Sequence, residues 1–127
     1  MTDLVLDDFN PSRLISSNRK IHYMVRSEVA AYWRKLGHDL IVAEYGHAEV
    51  GETWHQRVRI VATLRWPNEI RRDDHNYYAY VIKPLVDGFI DARLLPDDNA
   101  KHLIGPDVRR DPERGPHRIR IGVEDVA

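Results

Sequence analysis

The sequence predicts an α+β fold, a single compact domain over residues 1–127 in which a small mixed β-sheet packs against two main helices. Three observations predict it. Apolar residues recur at steps of three and four in two segments, they alternate with polar residues in two others, and no internal repeat, low-complexity tract or linker divides the chain. With 127 residues and 43% hydrophobic content, the chain can build one core but not two ordinary domains.

The stretch up to Ser17 mixes Asp, Asn, Pro and Ser, so it reads as a loop or a short edge strand at Leu4 to Leu6. Val25, Val29, Tyr32, Trp33, Leu36 and Leu40 then mark one face of a helix that should end near Tyr45 and Gly46. From Gln56 the period changes to two. Val58, Ile60, Ala62, Leu64 and Trp66 face one way and Arg57, Arg59, Thr63 and Arg65 the other, the clearest strand in the chain. A second helical pattern runs from Tyr78 to Ile90, and Pro84 inside it either kinks that helix or restarts it. Leu94 to Asn99 reads as a turn, Lys101 to Ile104 as a short strand, and Gly105 to Pro116 as a loop. Ile119, Ile121 and Val123 alternate in a last strand.

Composition narrows the chemistry. The absence of cysteine excludes disulfide frameworks, thiolate catalysis and thiolate zinc sites, so any metal must be held by oxygen or imidazole. No apolar run approaches the roughly 18 residues of a membrane span, and the N-terminus is acidic rather than a basic leader, so the expectation is a soluble cytoplasmic protein without a membrane partner. Net charge is nearly balanced, with 19 Lys and Arg against 20 Asp and Glu. That argues mildly against nucleic acid, although arginines recur at 57, 59, 65, 71 and 72 on the approach to an acidic turn. Trp33 and Trp66 fall on apolar faces and are expected in the core. Tyr77, Tyr78 and Tyr80 are better read as packing than as DNA contacts, and the remaining histidines show no zinc-ligand spacing.

Two acidic groups bracket the second helix: Asp73 and Asp74, with His75, before it, and Asp97 and Asp98 beyond its far end. Magnesium takes oxygen ligands and keeps waters, so a few converging carboxylates plus a substrate phosphate is the form such a site takes. Carboxylates brought together repel unless a cation neutralises them. Acidic doublets at turns also serve as helix caps and solvated loops, and the pattern alone does not choose.

The run Arg71-Arg72-Asp73-Asp74-His75-Asn76, then Lys83, Asp87, Gly88 and Leu95-Pro96-Asp97-Asp98, resembles the RusA family of Holliday junction resolvases, of phage and prophage type. That family carries an arginine-rich strand end, Asp-x-Asp-Asn, a helix with Lys-x-x-x-Asp and a downstream Asp-Asp turn. The flanking order is similar too, with an Asn18-Arg19-Lys20 loop leading into a helix and a terminal strand. The resemblance implies a RusA-like fold, a homodimer and paired symmetric nicks in four-way junctions or other branched DNA during recombination and repair. It implies Mg2+ held by Asp73 and Asp98, with His75 or Asp74 completing the shell and Asp97 beside them. Lys83 would act on the phosphate. Arg19, Lys20, Arg71, Arg72 and Asn76 would contact DNA, positioning the backbone without reading sequence.

The chain departs from the family pattern twice. Lys83 lies seven residues after Asn76 instead of three, and four extra residues make about one helical turn, so the same helix face is kept. His75 stands where the family has its second aspartate. Imidazole suits Mn2+ better than Mg2+. Three readings compete: His75 is a ligand with manganese favoured, Asp74 replaces it, or the site is weakened. The alternatives to a resolvase are accordingly a RusA-like protein that binds branched DNA without cutting it, and a phosphodiesterase acting on flaps or single strands.

Overall fold

A computed structural model describes residues 1–126. Strand β1 (Thr2–Leu6) is followed by a short 3-10 turn at Pro11–Arg13 and by helix α1 (Tyr23–Tyr45). Strand β2 (Val58–Arg65) leads through further helical turns into helix α2 (Lys83–Asp91), and strands β3 (Leu103–Arg110) and β4 (Arg118–Asp125) complete the chain. This is the expected α+β architecture, four strands in a mixed sheet with two main helices.

The strands are ordered β1-β4-β2-β3. The first and last strands are antiparallel neighbours, β4 is antiparallel to β2, and β2 runs parallel to β3, with α2 on the connection between them. A parallel pair requires such a crossover, because a hairpin can only reverse direction. Alternation decides which face is buried: Val58, Ile60, Ala62 and Leu64 of β2 and Ile119, Ile121 and Val123 of β4 are buried in one core with Trp33, Leu85 and Phe89 from the helices.

Capping sets the limits of α1. The His22 Nδ1 accepts from the Met24 N–H at 3.2 Å, and Gly46, with φ of 87°, stops the helix while its N–H donates to the Val42 carbonyl. The helices approach closely because of two glycines. A Cβ on Gly37 would overlap the carbonyl oxygen of Leu85, and one on Gly88 would overlap that of Arg34. Arg34 then bridges to Asp91 through two hydrogen bonds, 2.5 and 2.8 Å long.

One expectation about local structure is corrected, and one left open is decided. Strand β3 runs on to Arg110 instead of ending at Ile104, and takes in Gly105 and Pro106, joined by a cis bond. It lies at the edge of the sheet, where a proline's missing N–H breaks no ladder on its solvent side. Gly105 has φ of +95°, and a Cβ there would sit 2.7 Å from the Ile60 carbonyl oxygen, so only glycine fits this irregularity. The second helix, meanwhile, is not uniform. Asp74–Tyr77 is a 3-10 turn, Tyr78–Ile82 is π-helical, and regular α-helix begins at Lys83 with Pro84 in its first turn. The Lys83 N–H reaches five residues back to the Tyr78 carbonyl. Pro84 therefore marks a restart of the helix, placed where its missing donor does least harm.

Candidate functional site

Asp73 follows the loop after β2 and caps the 3-10 turn: its Oδ1 accepts from the His75 N–H at 3.1 Å, and its carbonyl accepts from the Asn76 N–H. Asp74 is half-buried, and its Oδ1 lies 3.5 Å from the indole nitrogen of Trp66. The His75 side chain is exposed. The Asn76 carbonyl accepts from the Ser17 N–H at 2.7 Å. That bond ties the exposed Asn18-Arg19-Lys20 loop to the acidic turn, a proximity that no local pattern encodes. The N-terminal segment is fastened further by the Trp33 indole, which donates to the Arg13 carbonyl, and by the Tyr32 hydroxyl, which accepts from the Asn10 N–H.

The strongest polar network lies one helical segment on. The Lys83 Nζ donates to Asp87 Oδ1 at 2.5 Å and to Asp98 Oδ2 at 2.8 Å, with all three side chains about a third exposed (39%, 30% and 36%). Burial alone would push the Lys83 ammonium down, but its bonds to Asp87 and Asp98 outweigh this and hold it above its ordinary value. The bond from Lys83 is also the main reason the Asp98 carboxyl is held below the usual carboxylate range. At neutral pH Lys83 is therefore a cation and Asp98 an anion, which suits them to charge stabilisation and not to proton transfer. Asp97 shapes the turn: its Oδ1 accepts from the Asp98 N–H at 2.7 Å and its Oδ2 from the Asn99 amide at 3.3 Å.

The arginines differ in freedom. Arg71 is exposed, as are Arg19 and Lys20. Arg72 is held: its guanidinium lies 4.1 Å from the Trp66 ring centroid and donates to the Asn68 side chain and the Ile70 carbonyl. Tyr77 and His117 pack around the same indole. Burial and the nearby Arg72 charge push the His117 imidazole down. Arg72 thus supports the acidic turn from beneath, and a DNA contact would cost it this stack. The Trp66–Arg72 stack was not foreseen, and only the closeness of the two residues in sequence hinted at it. Asp87 belonged to the motif without a role, and its i,i+4 spacing from Lys83 was the available signal.

The structure therefore joins Lys83 to Asp98 and the Arg19-Lys20 loop to the Asp73 turn. It does not join the two acidic groups to each other. No hydrogen bond or ion pair links Asp73, Asp74 or His75 to Asp97 or Asp98, and among the described residues no three His, Asp or Glu side chains are grouped closely enough to hold a metal ion. The donor chemistry suits a hard cation, but the arrangement does not. Asp98 is already occupied by an ammonium, and Asp73 and Asp74 are engaged in a cap and with an indole. No protein-family model matches the chain, and no curated protein matches it significantly.

Proposed function

We propose that this chain is a structure-specific endodeoxyribonuclease of the RusA type, acting in the cytoplasm as a homodimer on four-way junctions and related branched DNA. The observation that carries the reading is the Lys83 ammonium held between Asp87 and Asp98, which brings the motif lysine and the downstream acidic turn into contact. A fixed cation there can take a phosphate oxygen and stabilise charge that builds on it. The Arg19-Lys20 loop, drawn to the acidic turn by the Ser17–Asn76 bond, supports a DNA backbone running past both features. The resemblance implies Mg2+ or, given His75, Mn2+. Among the described residues no three donors are grouped for either, and the chain's own residues supply charge, orientation and phosphate contact.

One observation favours a second reading. Asp98 is held by the Lys83 ammonium and His75 stands where the resemblance expects an aspartate, which fits a protein that grips branched DNA without cutting it. Incubation with synthetic four-way junctions, flaps and linear duplex, in Mg2+ and separately in Mn2+, distinguishes these. Paired symmetric nicks confined to junctions are expected, and Asp98→Asn should abolish them while junction binding persists. Tight binding without cutting in either metal selects the second reading, cutting of flaps alone selects a flap phosphodiesterase, and neither binding nor cutting removes all three.

A further inference from the structure

The helices cover one face of the sheet, and on the other face the pairing of charges is incomplete. Register sets Val5, Arg120, Thr63 and Arg109 side by side across the four strands, with Arg118 and Arg65 paired in the next row. Arg118 is held by Asp7 at 2.6 Å, Arg109 by Asp107 at 3.3 Å, and the Arg65 Nε donates to the Pro116 carbonyl. Arg120 stands among these guanidinium groups, exposed, and carries no ion pair or side-chain hydrogen bond with any described residue. The half-buried Thr63 hydroxyl beside it has no described partner either. One carboxylate on the face is free as well. Asp3 lies opposite Gly122 in register, which makes it the diagonal neighbour of Arg120, about 7–8 Å away. Opposite charges at that distance are within reach of each other, yet these two stay apart beside the notch left by Gly122. Both line one depression of about 370 Å3, together with Thr63, Arg109 and Gly122.

We propose that this depression binds a small phosphate monoester with vicinal hydroxyls: the ribose 5-phosphate unit of a nucleoside 5′-monophosphate or of a sugar phosphate. The phosphate sits over Thr63. There the Arg120 guanidinium donates two parallel bonds to it and the Thr63 hydroxyl a third. Arg109 adds charge from the far side of Thr63, because its exposed pair with Asp107 is weak enough to yield. The vicinal hydroxyls donate to the Asp3 carboxylate, the same chemistry by which an acidic side chain holds ribose in dinucleotide sites. A ribose 5-phosphate unit separates its phosphate from those hydroxyls by a span that matches the diagonal from Arg120 to Asp3. The absent side chain at Gly122 leaves room for the sugar ring beside them. A volume of about 370 Å3 suits a ligand of that size. A long polyanion crossing the same face would meet Asp3, Asp107 and Glu124, which repel it. The inference goes beyond the nuclease reading and does not depend on it.

Isothermal titration with AMP, dAMP, ribose 5-phosphate and inorganic phosphate tests the site. AMP should bind with Kd of about 0.1–1 mM, the range of a shallow site with a few charged bonds. Lacking one hydroxyl, dAMP should bind about three- to tenfold more weakly, and inorganic phosphate at least about tenfold more weakly. Ribose 5-phosphate equal to AMP makes the ligand a sugar phosphate, and tighter binding of AMP makes it a nucleotide. Arg120→Met should weaken AMP at least about tenfold, and Asp3→Ala should erase the preference for AMP over dAMP. Gly122→Leu fills the notch. A Cβ there would meet Asp3 Oδ1 at 3.5 Å, Met1 Sδ at 3.7 Å and the Val61 carbonyl oxygen at 3.8 Å, all ordinary contacts, so this variant should fold, with an unchanged circular dichroism spectrum, yet not bind AMP. The proposal is overturned by a wild type that shows no saturable binding of AMP, by dAMP equal to AMP, or by folded variants that bind like the wild type. Inorganic phosphate as tight as AMP, the mark of an adventitious ion only, also overturns it. So does an Arg120→Met protein that keeps AMP and loses only junction affinity, which would give the face to DNA. Junction cutting by a protein that ignores AMP removes this proposal and keeps the nuclease reading; specific AMP binding by a protein that ignores DNA does the reverse.

Discussion

Replacing Lys83 with methionine removes the ammonium that Asp87 and Asp98 share while keeping most of the side chain's volume. The two bonds it breaks are 2.5 and 2.8 Å long, between side chains about one-third exposed. Bonds to charged groups contribute about 1.5–3 kcal/mol when well shielded, and exposed ion pairs about 0.2–1 kcal/mol. Screening at this exposure draws each bond towards the lower range, so the loss of both should cost roughly 1–2 kcal/mol, including the repulsion left between the two carboxylates. For a domain of this size that is a fall in Tm of about 4–8 °C. The cost also has a pH signature. Asp98 is held below its ordinary value, chiefly by its bond to Lys83, so its contribution is full above the unfolded pKa of about 3.9 and is lost as pH falls through the lower folded value. The Lys83 ammonium is held above its ordinary value by the same partners against the pull of burial, so its share is present below about 10.4 and is lost as pH climbs through the folded value. Urea unfolding followed by tryptophan fluorescence should show a gap between wild type and variant that is constant near neutrality and closes below about pH 4. A gap of less than about 0.3 kcal/mol at neutral pH, or one that stays undiminished in acid, would refute the role given to this network.

Gly37→Ala should destabilise by about 1–3 kcal/mol in chemical denaturation, because the new methyl meets the Leu85 carbonyl; an exposed helix would gain about 1 kcal/mol from the same change, so the sign of the result decides. Gly105→Ala should cost about 1–3 kcal/mol, measured the same way, through its φ of +95° and the Ile60 carbonyl; a neutral result would place the β3 irregularity elsewhere. His75→Asp should change stability by less than about 0.5 kcal/mol, since that side chain is exposed. In the junction assay it should raise cutting in Mg2+ relative to Mn2+, and an unchanged ratio would indicate that Asp74 supplies the second carboxylate.

The elements could be read from periodicity because burial imposes it: the inward faces of β2 and β4 are the alternating residues, and α1 ends at the glycine expected to end it. Partner choice between strands could not be read. Nothing local to Leu4 says that it lies beside Ile121, more than a hundred residues away. The pattern ends β3 too early because Gly105 and Pro106 break strands in general, whereas an edge position and one parallel neighbour make both tolerable here. A single glycine in a helical pattern such as Gly37 carries no local signal; only the Leu85 carbonyl against it gives the residue a reason. At the candidate site, the acidic turns and Lys83 carried a recognisable order, yet the tether from Ser17, the Arg72 stack on Trp66 and the capture of Asp98 by Lys83 are all products of tertiary packing.

On the proposed RusA-type reading, the spacing between Asp73 and Lys83 bears on how the two acidic groups are placed. Four residues added between asparagine and lysine turn the helix by about one full circle, which preserves the face but not the depth. The 3-10 turn overwinds the path and the π segment underwinds it, so the two departures offset each other in angle. Along the axis nothing cancels. Each residue of α-helix adds about 1.5 Å, so on that reading four added residues would set Asp73 about 6 Å further from Lys83 than the resemblance implies. Two carboxylate oxygens sharing a magnesium ion lie no more than about 4 Å apart, since each bonds to it at about 2.1 Å. Lys83 reaches forward to Asp87, one turn further along the helix from Asp73, and bonds Asp98 as well. For Asp73 and Asp98 to share one cation, Asp73 would have to leave its cap on the His75 N–H and Asp98 the Lys83 ammonium, and the 3-10 and π turns between them, where hydrogen bonding is least regular, are where the backbone would move.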